Sequence, residues 1–262
     1  MDIVVCIKQV PEASDISWNN ETGSLIREST SGILNPNDKN AVEAALKLKE
    51  KHGGIITAVS MGPEQAEESL REVLSMGVDR AVLLSDKSFA GADTLATAYT
   101  LSQGIKKIGV PDIILCGKES ADGMTAHVGP QIAEFIKMPQ ITCAIEIEAK
   151  DSFIQAKQKL DSGYRVLECP MPVVITVERE INQPRMTSME LILEAYSKKE
   201  VIIWNAEDLE CAVEFFGLKG SPTKTVKVYK QKITRGKVKI LQGNPESAAM
   251  EFVEILKEKS LI

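Results

Sequence analysis

Histidine and aromatic residues are scarce in this chain, and it has no long apolar run. Its 262 residues include two histidines (His52 and His127), 5% aromatics and five cysteines. The cysteines (Cys6, Cys116, Cys143, Cys169 and Cys211) are far apart, odd in number and form no Cys-x-x-Cys pair. Zinc and iron–sulfur centres need clustered Cys or His, so neither is expected, and a reducing compartment fits this cysteine usage. No stretch approaches the roughly 18–20 apolar residues of a membrane span. The opening Met1-Asp2-Ile3-Val4-Val5-Cys6 has no basic region ahead of its apolar run, and it reads as a first strand rather than a signal peptide. Basic excess is also missing. There are 37 acidic residues against 31 Lys and Arg, a net charge of −6, which argues against nucleic acid as the main ligand and suits a cytoplasmic protein. No Gly-x-Gly-x-x-Gly follows the first strand, and there is no Gly-Lys-Ser/Thr phosphate loop. Neither a Ser-His-Asp arrangement nor a pair of carboxylates suited to hydrolysis stands out.

What is present is an ordinary globular composition, 44% hydrophobic and 26% charged, in a chain long enough to bury its own core. Residues 1–116 alternate short β-branched runs with helical periodicity. Strands are expected over 3–8, 55–60, 80–84 and 112–116, and helices over 37–51, 64–75 and 93–108. That alternation predicts βαβ units in a doubly wound, mostly parallel sheet, whose ligands sit at the carboxyl ends of the strands. Residues 141–148, 153–159, 160–168 and 173–177 then read as an antiparallel addition, and 186–196 as a helix capped by Thr187 or Ser188. The expected domain runs over 1–205, with an arm over 206–262.

One loop carries most of the chemical information: Gly117-Lys118-Glu119-Ser120-Ala121-Asp122-Gly123-Met124-Thr125-Ala126-His127-Val128-Gly129-Pro130-Gln131. It follows an apolar strand and runs into a helix. Gly123 frees the backbone to turn, Ser120 and Thr125 offer hydroxyls, and the helix start supplies unpaired N–H groups for a phosphate. The ordinary alternative is a long surface loop with a polar cap. In Phe89-Ala90-Gly91-Ala92-Asp93-Thr94-Leu95-Ala96-Thr97, Asp93 or Thr94 suffices as a helix cap, and the same groups could instead face a ligand. Asn35-Pro36-Asn37-Asp38 is either a turn and cap or a holder for a base or ribose. His127 has no second His or Cys beside it, so a polar loop residue is the simpler reading than a metal ligand or base. A nucleotide site without acid–base apparatus favours chemistry carried by a cofactor.

From residue 219 to 239 there are eight basic residues and no acidic one, and Gly243-Asn244-Pro245 then leads into a helix over 247–259. Too little of this segment is apolar for a core of its own. A solvated strand face or a contact with an acidic partner subunit explains it better than a nucleic-acid grip.

Three stretches together resemble the β subunit of electron-transfer flavoprotein. They are Val4-Val5-Cys6-Ile7-Lys8-Gln9-Val10-Pro11, Asn35-Pro36 with Ala58-Val59-Ser60-Met61-Gly62-Pro63, and the 117–131 loop; Glu178-Arg179-Glu180-Ile181-Asn182-Gln183-Pro184-Arg185 extends the likeness to about residue 200. The resemblance implies an adenine-nucleotide α-hydrolase-like fold and a heterodimer with an α subunit whose FAD relays electrons to a dehydrogenase. It implies a nucleotide site at Cys6, Asn35, Asp38, Ala58, Ser60, Met61, Gly117, Ser120, Ala121, Asp122, Gly123, Met124, Thr125, Ala126, His127, Val128, Gly129, Pro130 and Gln131. It also implies that the helix after Pro184 docks the dehydrogenase through Arg185, Met189, Leu191 and Ile192, with Met189 where a leucine is usual.

Within that family, the 89–97 stretch and the 122–130 loop look like the electron-bifurcating branch. There a second FAD replaces the structural AMP and reaches toward Asp93, Thr94 and Thr97. NADH delivers hydride to that flavin. One electron passes to the α-subunit FAD and an acyl-CoA or 2-hydroxy-acid dehydrogenase, the other to ferredoxin or flavodoxin. Met124 stands where the family commonly has an acidic residue, and His127 where it has Gln. The alternatives are a β subunit holding AMP and, from another class, a regulatory nucleotide binder of the stress-protein type.

Overall fold

The computed structural model describes residues 1–12, 17–18, 25–26, 32–223 and 238–262. It divides into two compact units, Met1–Val226 and Lys227–Ile262.

The first unit opens with β1 (Asp2–Cys6), followed by β2 (Gln9–Pro11), β3 (Ser17–Trp18), β4 (Leu25–Ile26) and β5 (Gly32–Leu34). The short strands pair antiparallel as β2–β5 and β3–β4. Helix α1 (Pro36–His52) starts on a proline, which needs no N–H partner there, and carries Lys49 and Lys51 in its last turn, cations that suit the negative end of the helix dipole. Strand β6 (Ile55–Met61) leads through a single 3₁₀ turn into α2 (Glu67–Met76). Gly77, at φ +115°, closes α2 in the left-handed conformation, its N–H bonded to the Leu74 carbonyl and that of Val78 to Val73. Then come β7 (Arg80–Leu84), α3 (Thr94–Ile108), β8 (Ile113–Gly117) and α4 (Val128–Ile136).

These strands are buried on both faces, so their sequences are continuously apolar instead of alternating. On β1, Ile3 and Val5 pack with α1 and α2 residues such as Val42, Leu70 and Leu74. Val4 and Cys6 face the opposite layer, with Leu101 of α3 and Ile132 of α4.

Strands β9 (Gln140–Lys150), β10 (Phe153–Leu160), β11 (Gly163–Pro170) and β12 (Val173–Val177) follow. The antiparallel addition is therefore β10 and β11 alone; β9 and β12 join the parallel set. Strand β11 begins three residues later than its pattern suggests, because Asp161-Ser162 forms the two-residue turn that pairs Leu160 with Gly163. After α5 (Met189–Ser197), β13 (Val201–Trp204) closes the far edge beside β7. The nine strands run β11-β10-β9-β12-β8-β1-β6-β7-β13.

Helix α5 begins at 189, not 186, because Ser188 is the cap that accepts from the Leu191 N–H at 3.3 Å. The first unit also runs past the boundary expected after 205. Leu209 and Phe216 are buried in the α3–α4 layer, and Phe216 meets Phe89 edge-on at 4.9 Å. In the second unit, α6 (Pro245–Glu258) is capped by Asn244, and Lys239 pairs with Glu251 at 2.8 Å. Most of the basic segment, 224–237, lies outside the described residues.

Candidate functional site

The chain leaves β1 through α1 to one side and reaches β8 on the other, so the strand order reverses between β1 and β8. A crevice at the carboxyl ends of those two strands is the expected ligand position in an open α/β sheet. Cys6 and Cys116 face each other there in register, and Lys8 and Gly117 lie just beyond. Both thiols are buried. Hydrogen bonding to Cys6, then burial, pushes the Cys116 thiol well above its usual range, so it is a packed thiol and not a reactive one.

Asp38, in the first turn of α1, is the central group. The Lys8 N–H donates to its Oδ2 at 2.8 Å. Burial drives its carboxyl up to about 7, against hydrogen bonds from Asn35, the Lys8 N–H and the Gly117 N–H. Gly117 is glycine for a spatial reason: a Cβ there would overlap the Asp38 carboxylate and the Asn37 backbone. Asn35 spends its side chain across the crevice. Its Nδ2 donates to the Glu119 carbonyl at 3.0 Å, and its Oδ1 accepts from the Ala121 N–H at 3.1 Å. Asn37 Nδ2 donates to the same Glu119 carbonyl at 2.7 Å. The 35–38 turn thus holds the 117–122 loop in place.

The Lys8 ammonium completes the bridge, 2.7 Å from both Asp122 oxygens and 3.5 Å from Ser120 Oγ. The turning points of the loop differ from expectation. Gly123 is not in the left-handed region; Met124 (φ +46°) and Ala126 (φ +55°) are. Non-glycine residues seldom adopt that conformation, and when they do they cluster at functional sites. Helix α4 then starts without a side-chain cap. Among the described residues, two buried side-chain atoms have no hydrogen-bond partner: Ser60 Oγ at the end of β6, and Gln131 Oε1 in the first turn of α4. Buried polar atoms are almost always paired, so such orphans suit a group supplied from outside the chain. A small open cleft lies beyond the ends of β1 and β6, lined by Lys8, Gln9, Val10, Met61 and Gly62 among others.

Cys6, Asn35, Asp38, Gly117, Ser120, Ala121 and Asp122 therefore converge at the crevice, with Ala58, Ser60 and Met61 one strand away on β6. Thr125, His127, Val128, Gly129 and Pro130 follow as the exit of the loop and the first turn of α4. Asp93, Thr94 and Thr97 stand apart, after β7, two strands from β1 and so roughly 10 Å along the same edge. Asp93 is a cap: its Oδ1 accepts from the Leu95 and Ala96 N–H groups at 3.0 and 3.1 Å. Its Oδ2 accepts from the Thr223 hydroxyl at 2.8 Å and the Thr223 N–H at 3.1 Å. Burial opposes the charge, but the Ala96 and Thr223 donors outweigh it and hold the carboxyl below its usual range.

Arg185 also turns inward. Its Nε donates to Glu43 at 2.8 Å and its Nη1 to Glu50 at 2.6 Å, and the two carboxylates raise the guanidinium above its usual range. Beside it, Asn40 and Asn182 exchange hydrogen bonds of 2.9–3.0 Å. On α5, Met189 is exposed and its neighbour one turn on is Leu193, also exposed, while Leu191 and Ile192 are half-buried. Sequence reading missed Leu193, Lys8 and Thr223. Helical spacing from Met189 signals Leu193, and a lysine directly after the first strand signals Lys8. Nothing local signals the 130-residue reach from Thr223 to Asp93.

Fold and crevice define a doubly wound, mostly parallel α/β protein with its candidate site where the strand order reverses. A family model for the electron transfer flavoprotein domain matches residues 22–209. The chain is 45% identical over 262 residues to the electron transfer flavoprotein subunit beta of Thermoanaerobacterium thermosaccharolyticum, covering all of both chains. It is 41% identical over 263 residues to the caffeyl-CoA reductase-Etf complex subunit CarD of Acetobacterium woodii, and 39% identical over 268 residues to the acryloyl-CoA reductase electron transfer subunit gamma of Anaerotignum propionicum; both matches cover all of each chain. The chain belongs to the electron transfer flavoprotein family, with the β subunits. Among the described residues no helix is long and apolar enough to cross a membrane, and no cluster of His, Cys, Asp or Glu could hold a metal ion.

Proposed function

We propose that this chain is the β subunit of a cytoplasmic, heterodimeric electron-transfer flavoprotein, and that the crevice between β1 and β8 holds the adenylate half of an FAD. The observation that carries the nucleotide is the convergence, at one sheet edge, of the Lys8-braced 117–127 loop, an uncapped helix start, and the unpartnered Ser60 Oγ and Gln131 Oε1. The rest of a dinucleotide would extend along that edge toward Thr94 and Thr97 at the start of α3. The chemistry supplied by the flavin, when bound, is acceptance of hydride from NADH and release of single electrons, one toward the α-subunit FAD and a dehydrogenase, one toward ferredoxin or flavodoxin. This chain's contribution is orientation and electrostatic setting, with no protein nucleophile. An acyl-CoA-type or 2-hydroxy-acid dehydrogenase is the proposed partner, in keeping with relatives named for caffeyl-CoA and acryloyl-CoA reductases. Its docking surface is the exposed Met189–Leu193 stripe of α5, with Arg185 fixing the segment from behind. The basic arm is proposed to grip the α subunit.

A second reading, AMP as a structural ligand, is favoured by the Asp93 carboxylate, whose two oxygens are both engaged within the chain. Counting nucleotides decides between them. The heterodimer is purified after co-expression with its α subunit, denatured, and its FAD and AMP quantified. Two FAD and no AMP per heterodimer is the expected result; one of each would establish an ordinary electron carrier.

A further inference from the structure

Two lysines reach the edge of the crevice. Lys118 is held by Glu178 at 3.0 Å, over a carboxylate side chain only 15% exposed. Lys8 is different. Its side chain is 38% exposed and lies over Asp122, whose side chain is 7% exposed, so anything entering from solvent meets the ammonium before the carboxylate. An ammonium has three donors. Two oxygens of Asp122 lie at 2.7 Å, whereas the third neighbour, Ser120 Oγ, is at 3.5 Å, too long for a good hydrogen bond. One donor of Lys8 is therefore under-used and points toward the hydroxyl of the loop. The same edge holds the Asp122 carboxylate and the buried carboxyl of Asp38, so an anion arriving there needs a cation beside it.

We propose that Lys8 is the phosphate-binding residue of this site: its third N–H donates to an anionic oxygen seated beside Ser120 Oγ, while the other two keep Asp122 neutralised. The proposal rests on the nucleotide reading above and adds to it the residue that distinguishes a nucleotide from a nucleoside. Lys8 does so without leaving Asp122, so the loop keeps its shape when the ligand enters.

The test is calorimetric titration of the full-length chain, purified with its α subunit and stripped of nucleotide, with AMP and separately with adenosine. The double variant Lys8→Met/Asp122→Asn removes both charges, so no buried carboxylate is left uncompensated. It should lose AMP affinity about 10- to 100-fold, as expected for a charged hydrogen bond, and hold adenosine affinity within about threefold. Lys8→Arg, which keeps the cation, should keep the preference for AMP, and Lys8→Gln serves in place of a double variant that does not fold. Equal losses for AMP and adenosine would make Lys8 a loop brace only, and an unchanged AMP preference would remove it from the phosphate site; either overturns the proposal while leaving the nucleotide reading intact. Wild-type protein that binds neither AMP nor FAD would overturn the nucleotide reading and this proposal with it.

Discussion

Asp38 binds a proton more readily in the folded chain than in the unfolded one, because burial raises its carboxyl from 3.8 to about 7. The sign of the pH dependence follows. Between about pH 4 and pH 7 the folded state carries the extra proton, so stability falls as pH rises through that window and levels off above it. Asp38→Asn has no such proton to lose. Its melting temperature should therefore climb relative to wild type, by several degrees, between about pH 4 and pH 8. Parallel melting curves across that range would mean that Asp38 keeps an ordinary carboxyl. Arg185 acts on the same scale. Removing it leaves Glu43, whose side chain is 4% exposed, without its cation, while Glu50 sits in solvent. Because the arginine is itself one-third exposed, Arg185→Ala should cost about 2–3 kcal/mol, less than a fully buried pair, as read by denaturant unfolding.

At the scale of elements, the start of α3 is a structural junction. Asp93 caps the helix and also holds Thr223, so it ties the 206–223 segment to the body. Asp93→Ala should cost about 1–2 kcal/mol, the upper range for a lost cap, and should speed proteolysis near residue 223. FAD content unchanged in that variant would leave Thr94 and Thr97 as the flavin-facing candidates. Thr94→Val with Thr97→Val should then reduce FAD content and leave the heterodimer intact, as read by absorbance after gel filtration. Helix α5 presents another junction, packed on α2 with Arg71 donating to the Ala195 carbonyl at 2.7 Å. Its exposed Met189 and Leu193 make few demands on stability. Leu193→Asp should shift stability by no more than about 0.5 kcal/mol, yet slow electron delivery to the dehydrogenase in stopped-flow mixing.

For the whole molecule, ligand and fold are linked by mass action. FAD at about 100 times its dissociation constant should stabilise the chain by about 2.7 kcal/mol, visible as a rise in melting temperature that Lys8 and Ser60 variants reduce. The parallel, doubly covered build of the sheet was legible in sequence because strands buried on both faces read as unbroken apolar runs, as Ile3 to Cys6 and Ile113 to Cys116 do. Strand β13 escaped because it is a four-residue edge strand, Val-Ile-Ile-Trp, whose Ile202 and Ile203 are half-exposed and show no period. The α5 start was read three residues early because Met186 is apolar, although it is 94% exposed and lies outside the helix.

By itself the sequence determined the alternation of strand and helix and the place of the 117–131 loop after β8, since each depends on neighbours in the chain. Only the tertiary structure decided which residues act together. The meeting of Lys8 with Asp122, Asn35 with Glu119, Arg185 with Glu43 and Asp93 with Thr223 spans 84 to 142 residues. Such pairings are fixed by the point at which the sheet reverses its strand order, and no local pattern encodes that point.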